Sequence, residues 1–253
     1  MFILILNSLD MDNLNILSRN SPKFTTKIRN KKGIKIIVIH YTGMQSEVEA
    51  LSRLANFKSK VSCHYLINEK GQITSLVPEK YTAWHAGKSR WGKFSSLNKY
   101  SIGIELVNPG HEFGYKKFKK KQILALIQLT KKLIKKYNIK KKNIVGHSDI
   151  APLRKKDPGE KFPWKILAKS NIGVWHNLNQ KKLIKNRKKK ILEKDELIFI
   201  KFLNKIGFQT RFDTQKTKYQ KKLVQAFQRR FRPQLISGII DKECFIIAKN
   251  LSL

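Results

Sequence analysis

The chain is short of cysteine, of acidic residues and of long apolar runs, and each shortage removes a class of protein. Two cysteines among 253 residues, Cys63 and Cys244, stand far apart in segments that read as different domains. Neither belongs to a Cys-x-x-Cys pair, so neither a disulfide framework nor thiol redox chemistry organises the molecule. No stretch approaches the ~18 consecutive apolar residues that a membrane-spanning helix needs. The amino terminus, MFILILNSLDMDNLN, opens on a short apolar run, lacks a basic n-region and meets Asp10 and Asp12 at once. A cleavable export signal is not expected from that pattern, and no cysteine stands where a lipid anchor needs one, so a cytoplasmic location is favoured. If Met11 is the true start, the apolar run disappears altogether.

Acid is scarce as well: 17 Asp and Glu face 54 Lys and Arg, a formal charge of +37. Such an excess favours polyanions, whether nucleic acid, anionic lipid or acidic wall polymer. It is overwhelmingly Lys, however, and it comes with abundant Ile and Asn, a composition that an AT-rich coding bias produces without any partner. A nucleic-acid reader should show Arg-rich or aromatic-interleaved patches, or a recognisable DNA-binding helix. None is present, and no specific nucleic-acid partner is expected.

With 41% hydrophobic residues the chain can build one ordinary domain and a small second one. IKIIVIHYTG (34–43) is a β-branched run ending in Gly, the pattern of a strand buried on both faces, with His40 at its carboxyl end. SEVEALSRLANFK follows as a helix with Ser46 as N-cap and Val48, Leu51, Leu54 and Ala55 at helical spacing. CHYLINEKGQITSLVP reads as a hairpin turning at Lys70-Gly71, and YTAWHAG as a further strand. SIGIELVNPG is again a strand, with Glu105 in an otherwise apolar run. KKKQILALIQLTKKLIKKYNI is an amphipathic helix fit to lie on a sheet, and NIVGH is a short strand that delivers His147. The pattern predicts an α/β domain over 22–170 with a mixed central sheet flanked by helices, because the hairpin forces one antiparallel pair. A basic linker over 171–194, helical toward its end, then leads to a small three-helix domain over 195–253.

The chemistry concentrates in GHSDIAPLRKKDPGEKFPW (146–164), where Pro fixes the backbone around His147 and Asp157. Strand ends meet on one rim of a sheet, so His40, His147 and Asp157 can gather there. Two His and one carboxylate suit a catalytic zinc site that leaves a fourth position open. Amide hydrolysis on such a site needs a proton acceptor and a cation near the developing oxyanion, and Glu105 and Lys155 are available. The bland readings stand beside these: a hydrogen-bonded core His, a turn-forming Asp157 before Pro158-Gly159, a structural ion pair for Glu105.

The ordered segments VIHYTG, HYLINEKGQI, AWHAGKSRW, SIGIELVNPG and GHSDIAPLRKKDPGEKFPW, spanning Ser21 to Trp164, resemble the zinc-dependent N-acetylmuramoyl-L-alanine amidases of the amidase-2 group. Phage amidases and animal peptidoglycan recognition proteins belong to the same group. The resemblance implies cleavage of the amide between N-acetylmuramic acid and the first L-alanine of the stem peptide, in peptidoglycan or muropeptides. It implies one Zn2+ held by His40, His147 and Asp157, Glu105 as the catalytic carboxylate and Lys155 as the residue that stabilises the transition state. Trp84 and His85 become candidates for substrate contact. The last motif departs from the family's GRKTDPG at Leu153 and Lys156, neither of which carries a role. Cys63 precedes His64, and a thiol ligand there would close the open position. Toward the carboxyl terminus, FLNKIGF, AFQRRFRP and SGIIDKECFIIA resemble the three-helix peptidoglycan-binding domain found beside wall hydrolases, which would argue for the periplasm instead. A non-catalytic recognition protein of the same fold is the alternative, and oligomeric state is not legible.

Overall fold

The computed structural model describes residues 14–22, 24–56, 58–210 and 216–253; the apolar amino-terminal run and Met11 lie outside them. In chain order the strands are β1 (Ile16–Ser18), β2 (Phe24–Thr25), β3 (Ile36–Tyr41), β4 (Tyr65–Ile67), β5 (Ile73–Ser75), β6 (Thr82–Ala83), β7 (Arg90–Trp91), β8 (Phe94–Ser95), β9 (Ser101–Leu106) and β10 (Ile144–Gly146). The helices are α1 (Glu47–Ala55), α2 (Lys120–Tyr137), α3 (His147–Ile150), α4 (Trp164–Lys169), α5 (Gln180–Ile184), α6 (Glu193–Ile206), α7 (Lys216–Phe231) and α8 (Lys242–Leu251).

Six strands form one mixed sheet in the order β1-β5-β4-β9-β3-β10. The β4–β5 hairpin supplies its antiparallel pair, while β4, β9, β3 and β10 run parallel. Parallel strands covered on both faces need near-continuous apolar sequence, which IIVIH in β3 and SIGIEL in β9 provide. Gly71 turns the hairpin at φ +86°, and a Cβ there would press on the Lys121 carbonyl.

Side chains alternate across each strand, so β3 divides its residues between two cores. Ile37 and Ile39 join Ile102, Ile104 and Leu106 of β9 beneath α2, which contributes Ile123, Leu126, Ile127, Leu129 and Leu133. Each such side chain, removed from water, stabilises the fold by about 1.5–3 kcal/mol. Gln122 fixes the helix on the sheet by donating from Nε2 to the carbonyls of Ile67 and Val107, both at 3.0 Å. Ile36 and Val38 point the other way, with Val145, Trp91 and Ile150, into a second core shared with Phe199, Leu203 and Phe227 of the carboxyl-terminal helices and with Phe208 just after α6.

The three carboxyl-terminal helices α6, α7 and α8 continue the second core directly. Trp91 meets Phe208 edge to face at 5.1 Å between ring centres. From α7, Arg230 reaches into the catalytic sheet: its guanidinium pairs with Asp149, donates to the Ile144 carbonyl at 3.0 Å and lies 4.2 Å over the Trp164 ring. The stretch 171–194 contains α5, buries Leu183 in the shared core and stacks Trp175 against His176.

Three local expectations change. Ser46 caps α1 by accepting from the Glu49 N–H at 3.1 Å, but Val48 is 78% exposed and Ala50 and Leu54 form the buried stripe. YTAWHAG yields only the two-residue β6, paired with β2 apart from the main sheet, because the following residues bend inward toward His40. Ile16–Ser18, within the polar lead-in, adds a parallel edge strand beside β5.

Candidate metal centre and active site

Register places the site. His40 of β3 sits opposite Glu105 of β9, and Gly146 of β10 sits opposite Ile39, so His147 follows directly beside His40. Three chemically active side chains therefore lie side by side at the carboxyl end of three parallel strands, on the face opposite α2. Gly146 allows the approach, since a Cβ there would overlap the ring of Pro158. The loop after α3 returns Asp157 to the same point, and its carbonyl accepts the Ser148 N–H at 2.8 Å.

His40 Nδ1 lies 2.9 Å from His147 Nδ1, and Asp157 Oδ2 lies 3.0 and 3.1 Å from those two nitrogens. All three residues are buried, and among the described residues they are the group of His, Cys, Asp or Glu whose ligand atoms could hold a metal ion. His147 Nε2 lies 3.1 Å from the Ala86 carbonyl, which only accepts, and 3.5 Å from Arg154 Nη2, which only donates; the shorter contact favours the proton on Nε2 and a lone pair on Nδ1 toward the cluster. Burial and the neighbouring His147 press the His40 pKa down to about 4, against the opposing pull of Asp157. Burial would raise the Asp157 carboxyl, but the two imidazoles overcome it and hold that carboxyl far below its ordinary range. A neutral imidazole beside a carboxylate is what metal ligation requires.

Glu105 completes the rim. The residue is partly exposed, yet its Oε2 is sealed from water and has no hydrogen-bond partner among the described residues. Burial, reinforced by the Asp157 charge, pushes its carboxyl well above the ordinary value, while Lys155 pulls the other way. A buried carboxylate oxygen without a partner is costly, and a water or substrate proton would satisfy it. Lys155, half-buried in the loop before Asp157, is electrostatically felt by both His40 and Glu105.

His85 is buried behind His40, with Nδ1 at 3.0 Å from His40 Nε2 and Nε2 at 3.2 Å from Ser101 Oγ. Trp84 is half-buried and donates from Nε1 to Thr25 Oγ1 at 3.1 Å. With Lys27, Arg29, Lys88 and Lys99 it lines a groove of about 700 Å³. Cys63 is no part of the centre, for its thiol donates to the Tyr65 carbonyl. Two residues without an assignment from sequence also border the site. Arg154 donates to the carbonyls of Ala86 and Lys88, and His111 bridges Tyr41 and Glu160 at 2.8 and 3.1 Å. Side-chain reach across the fold, rather than any local pattern, puts them there.

A buried trio of two His at parallel strand ends and an Asp from the following loop, with the Glu105 carboxylate beside it, could hold a metal ion, an arrangement suited to a hydrolase. Residues 30–160 match the family described as N-acetylmuramoyl-L-alanine amidase (Amidase_2). The chain belongs to that family and is an amidase acting in peptidoglycan turnover. It is 39% identical over 231 residues to the N-acetylmuramoyl-L-alanine amidase AmiD of Escherichia coli K12, covering 86% of this chain and 82% of AmiD. The structure of AmiD with anhydro-N-acetylmuramic acid-L-Ala-D-γ-Glu-L-Lys superposes with a TM-score of 0.77 at 36% identity, covering 91% of this chain and 92% of that one. AmpDh3 of Pseudomonas aeruginosa, in complex with anhydromuramic pentapeptide, gives 0.75 at 32% identity over 91% and 94% of the two chains.

Proposed function

We propose that the chain is a zinc-dependent N-acetylmuramoyl-L-alanine amidase, with His40, His147 and Asp157 holding the metal, Glu105 moving the proton and Lys155 supporting charge on the substrate oxygen. The observation that carries this reading is the convergence of two Nδ1 atoms and one Oδ2 within 3.1 Å of one another. Electron-pair donors so close need a proton or a metal ion among them, and two imidazoles with one carboxylate suit zinc with an open position. When bound, zinc would acidify a water and polarise the amide carbonyl.

The protein's own groups do the rest. Glu105, its carboxyl raised above the ordinary value by burial, is suited to take a proton from the attacking water and return it to the leaving L-alanine amine. Lys155 places a positive charge beside the oxygen that becomes negative. Arg154 and the Ala86 carbonyl keep the His147 ring from turning.

For substrate, the muropeptides bound by AmiD and AmpDh3 favour the same class, including 1,6-anhydro forms. The basic groove beside Trp84 has the right sign for stem-peptide carboxylates. The helices of 195–253 would anchor the enzyme to wall and raise the local substrate concentration, in addition to their packing role. The intact set of three donors and Glu105 favours catalysis over a purely recognising protein of this fold. The test is mass spectrometry of products from intact sacculi and from purified anhydro-muropeptides, with and without chelator. Release of L-Ala peptides should stop on chelation and return with zinc. Undiminished release after complete metal removal rejects the mechanism.

A further inference from the structure

Neither His85 nor Ser101 touches the cluster of Nδ1 and Oδ2 atoms, yet the hydrogen bonds that run through them decide what His40 presents to it. Resting on the zinc reading above, we propose that the His85–Ala86 dipeptide, pinned by Ser101 and Asn98, is the positioning element that sets the tautomer of both imidazole ligands.

The chain of donors has one solution. Ser101 is fully buried, and its Oγ lies 2.6 Å from the Leu97 carbonyl. That carbonyl can only accept, so the single hydroxyl proton of Ser101 goes to Leu97. Ser101 Oγ then has only lone pairs for His85 Nε2, 3.2 Å away, and that nitrogen must carry the proton. Among the described residues the nitrogens of His85 bond Ser101 and His40, and no carboxylate bonds them to favour a second proton. A neutral ring protonated on Nε2 has a lone pair on Nδ1, so His85 Nδ1 accepts from His40 Nε2–H at 3.0 Å. His40 Nδ1 is left bare, pointing at Asp157 and His147. The opposite direction of donation would leave two oxygens 2.6 Å apart with no proton between them.

His147 takes the same state in this proposal by a shorter path, its Nε2–H donating at 3.1 Å to the carbonyl of Ala86, the residue next to His85; that carbonyl also accepts from Arg154, whose Nη2 is farther from the ring nitrogen, at 3.5 Å. One dipeptide thus holds the outer nitrogen of each ligand, by a side chain for His40 and by the backbone for His147. Its position is itself fixed, for the Asn98 Oδ1 accepts the N–H of His85 at 3.2 Å and of Ala86 at 2.7 Å. Gly103 on β9 makes room, since a Cβ there would overlap the His85 ring. Supports of this kind typically change metal affinity 10–100-fold when lost.

The decisive experiment is long-range ¹H–¹⁵N NMR of the metal-free, ¹⁵N-histidine-labelled protein, with a zinc titration of the same sample. His40, His85 and His147 should each show an Nε2–H tautomer, assigned by single His→Gln variants. In Ser101→Ala the unique His85 tautomer should be lost and zinc Kd should rise by roughly 10-fold or more. Ser101→Cys, which keeps a donor and weak acceptor, should recover part of that loss. An Nδ1–H tautomer for His40 in the wild-type protein overturns the proposal without any variant, as does an unchanged tautomer set and zinc Kd in a folded Ser101→Ala. A wild-type chain that shows the expected tautomers but takes up no zinc would instead sink the metal reading and leave the hydrogen-bond relay standing.

Discussion

The molecule buries charge in two places and treats it in opposite ways. At the strand ends, His40, His147 and Asp157 crowd together within 3.1 Å, and Glu105 Oε2 has no hydrogen-bond partner among the described residues. Two buried arginines of the carboxyl-terminal segment meet carboxylates instead: Arg230 pairs with Asp149 across the seam to the sheet, and Arg232 with Asp241 at 3.1 Å within the helical segment. Arg187, closer to the surface, forks onto Glu243 with contacts of 2.7 and 2.9 Å. Paired buried charge stabilises a specific arrangement, whereas unpaired buried charge is tolerated where a ligand or a proton completes it. The seam differs in that its charges are paired with one another, even though Asp149 Oδ1 and the Nε atoms of Arg230 and Arg232 have no hydrogen-bond partner among the described residues.

Substitutions can break that contrast. The largest effect belongs to Glu105→Gln, which should retain zinc, measured by metal analysis, and lose about 10²–10⁴-fold in kcat, as expected when a positioned acid-base group is removed. Arg230→Met should keep the metal ligands intact but strand Asp149, and chemical denaturation should report a loss of about 3–5 kcal/mol. Adding Asp149→Leu to Arg230→Met should restore much of it; if the single variant is as stable as wild type, the seam is not the structural counterpart argued for. A smaller effect distinguishes the two regions by pH. The Glu105 carboxyl is held above its unfolded-state pKa, so its folded form is favoured at low pH and loses that advantage as pH rises through the raised value. The thermal midpoint of metal-free wild type should therefore fall with rising pH above the ordinary carboxylate range, and Glu105→Gln should flatten that fall. Parallel curves for the two proteins would remove Glu105 from the strained set.

Much of the rim was legible because its residues sit in strong local patterns. IKIIVIHYTG announces a buried strand and places His40 at its end, and the long proline-bearing loop announces a fixed backbone around His147 and Asp157. The amphipathic pattern of α2 located the helix and its buried face for the same reason. What sequence concealed depends on contacts between distant residues. Ile16–Ser18 becomes a strand through backbone pairing with β5, which its side chains do not advertise. His85 looked like a substrate contact because it lies in a motif, while its two hydrogen bonds are settled only by where β3 and β9 bring His40 and Ser101. Arg230 was one base in a lysine-rich background, and nothing near it in the chain hints at Asp149.

That last pairing has a consequence for how the protein comes into being. Asp149 and Arg230 are 81 positions apart, so the ribosome releases both histidines and Asp157 well before it releases the guanidinium that backs the turn bearing His147. Until α7 emerges, the nascent hydrolase carries its full set of reactive side chains on an incompletely braced corner. Translation of the carboxyl-terminal helices is in this sense the final step in arming the enzyme.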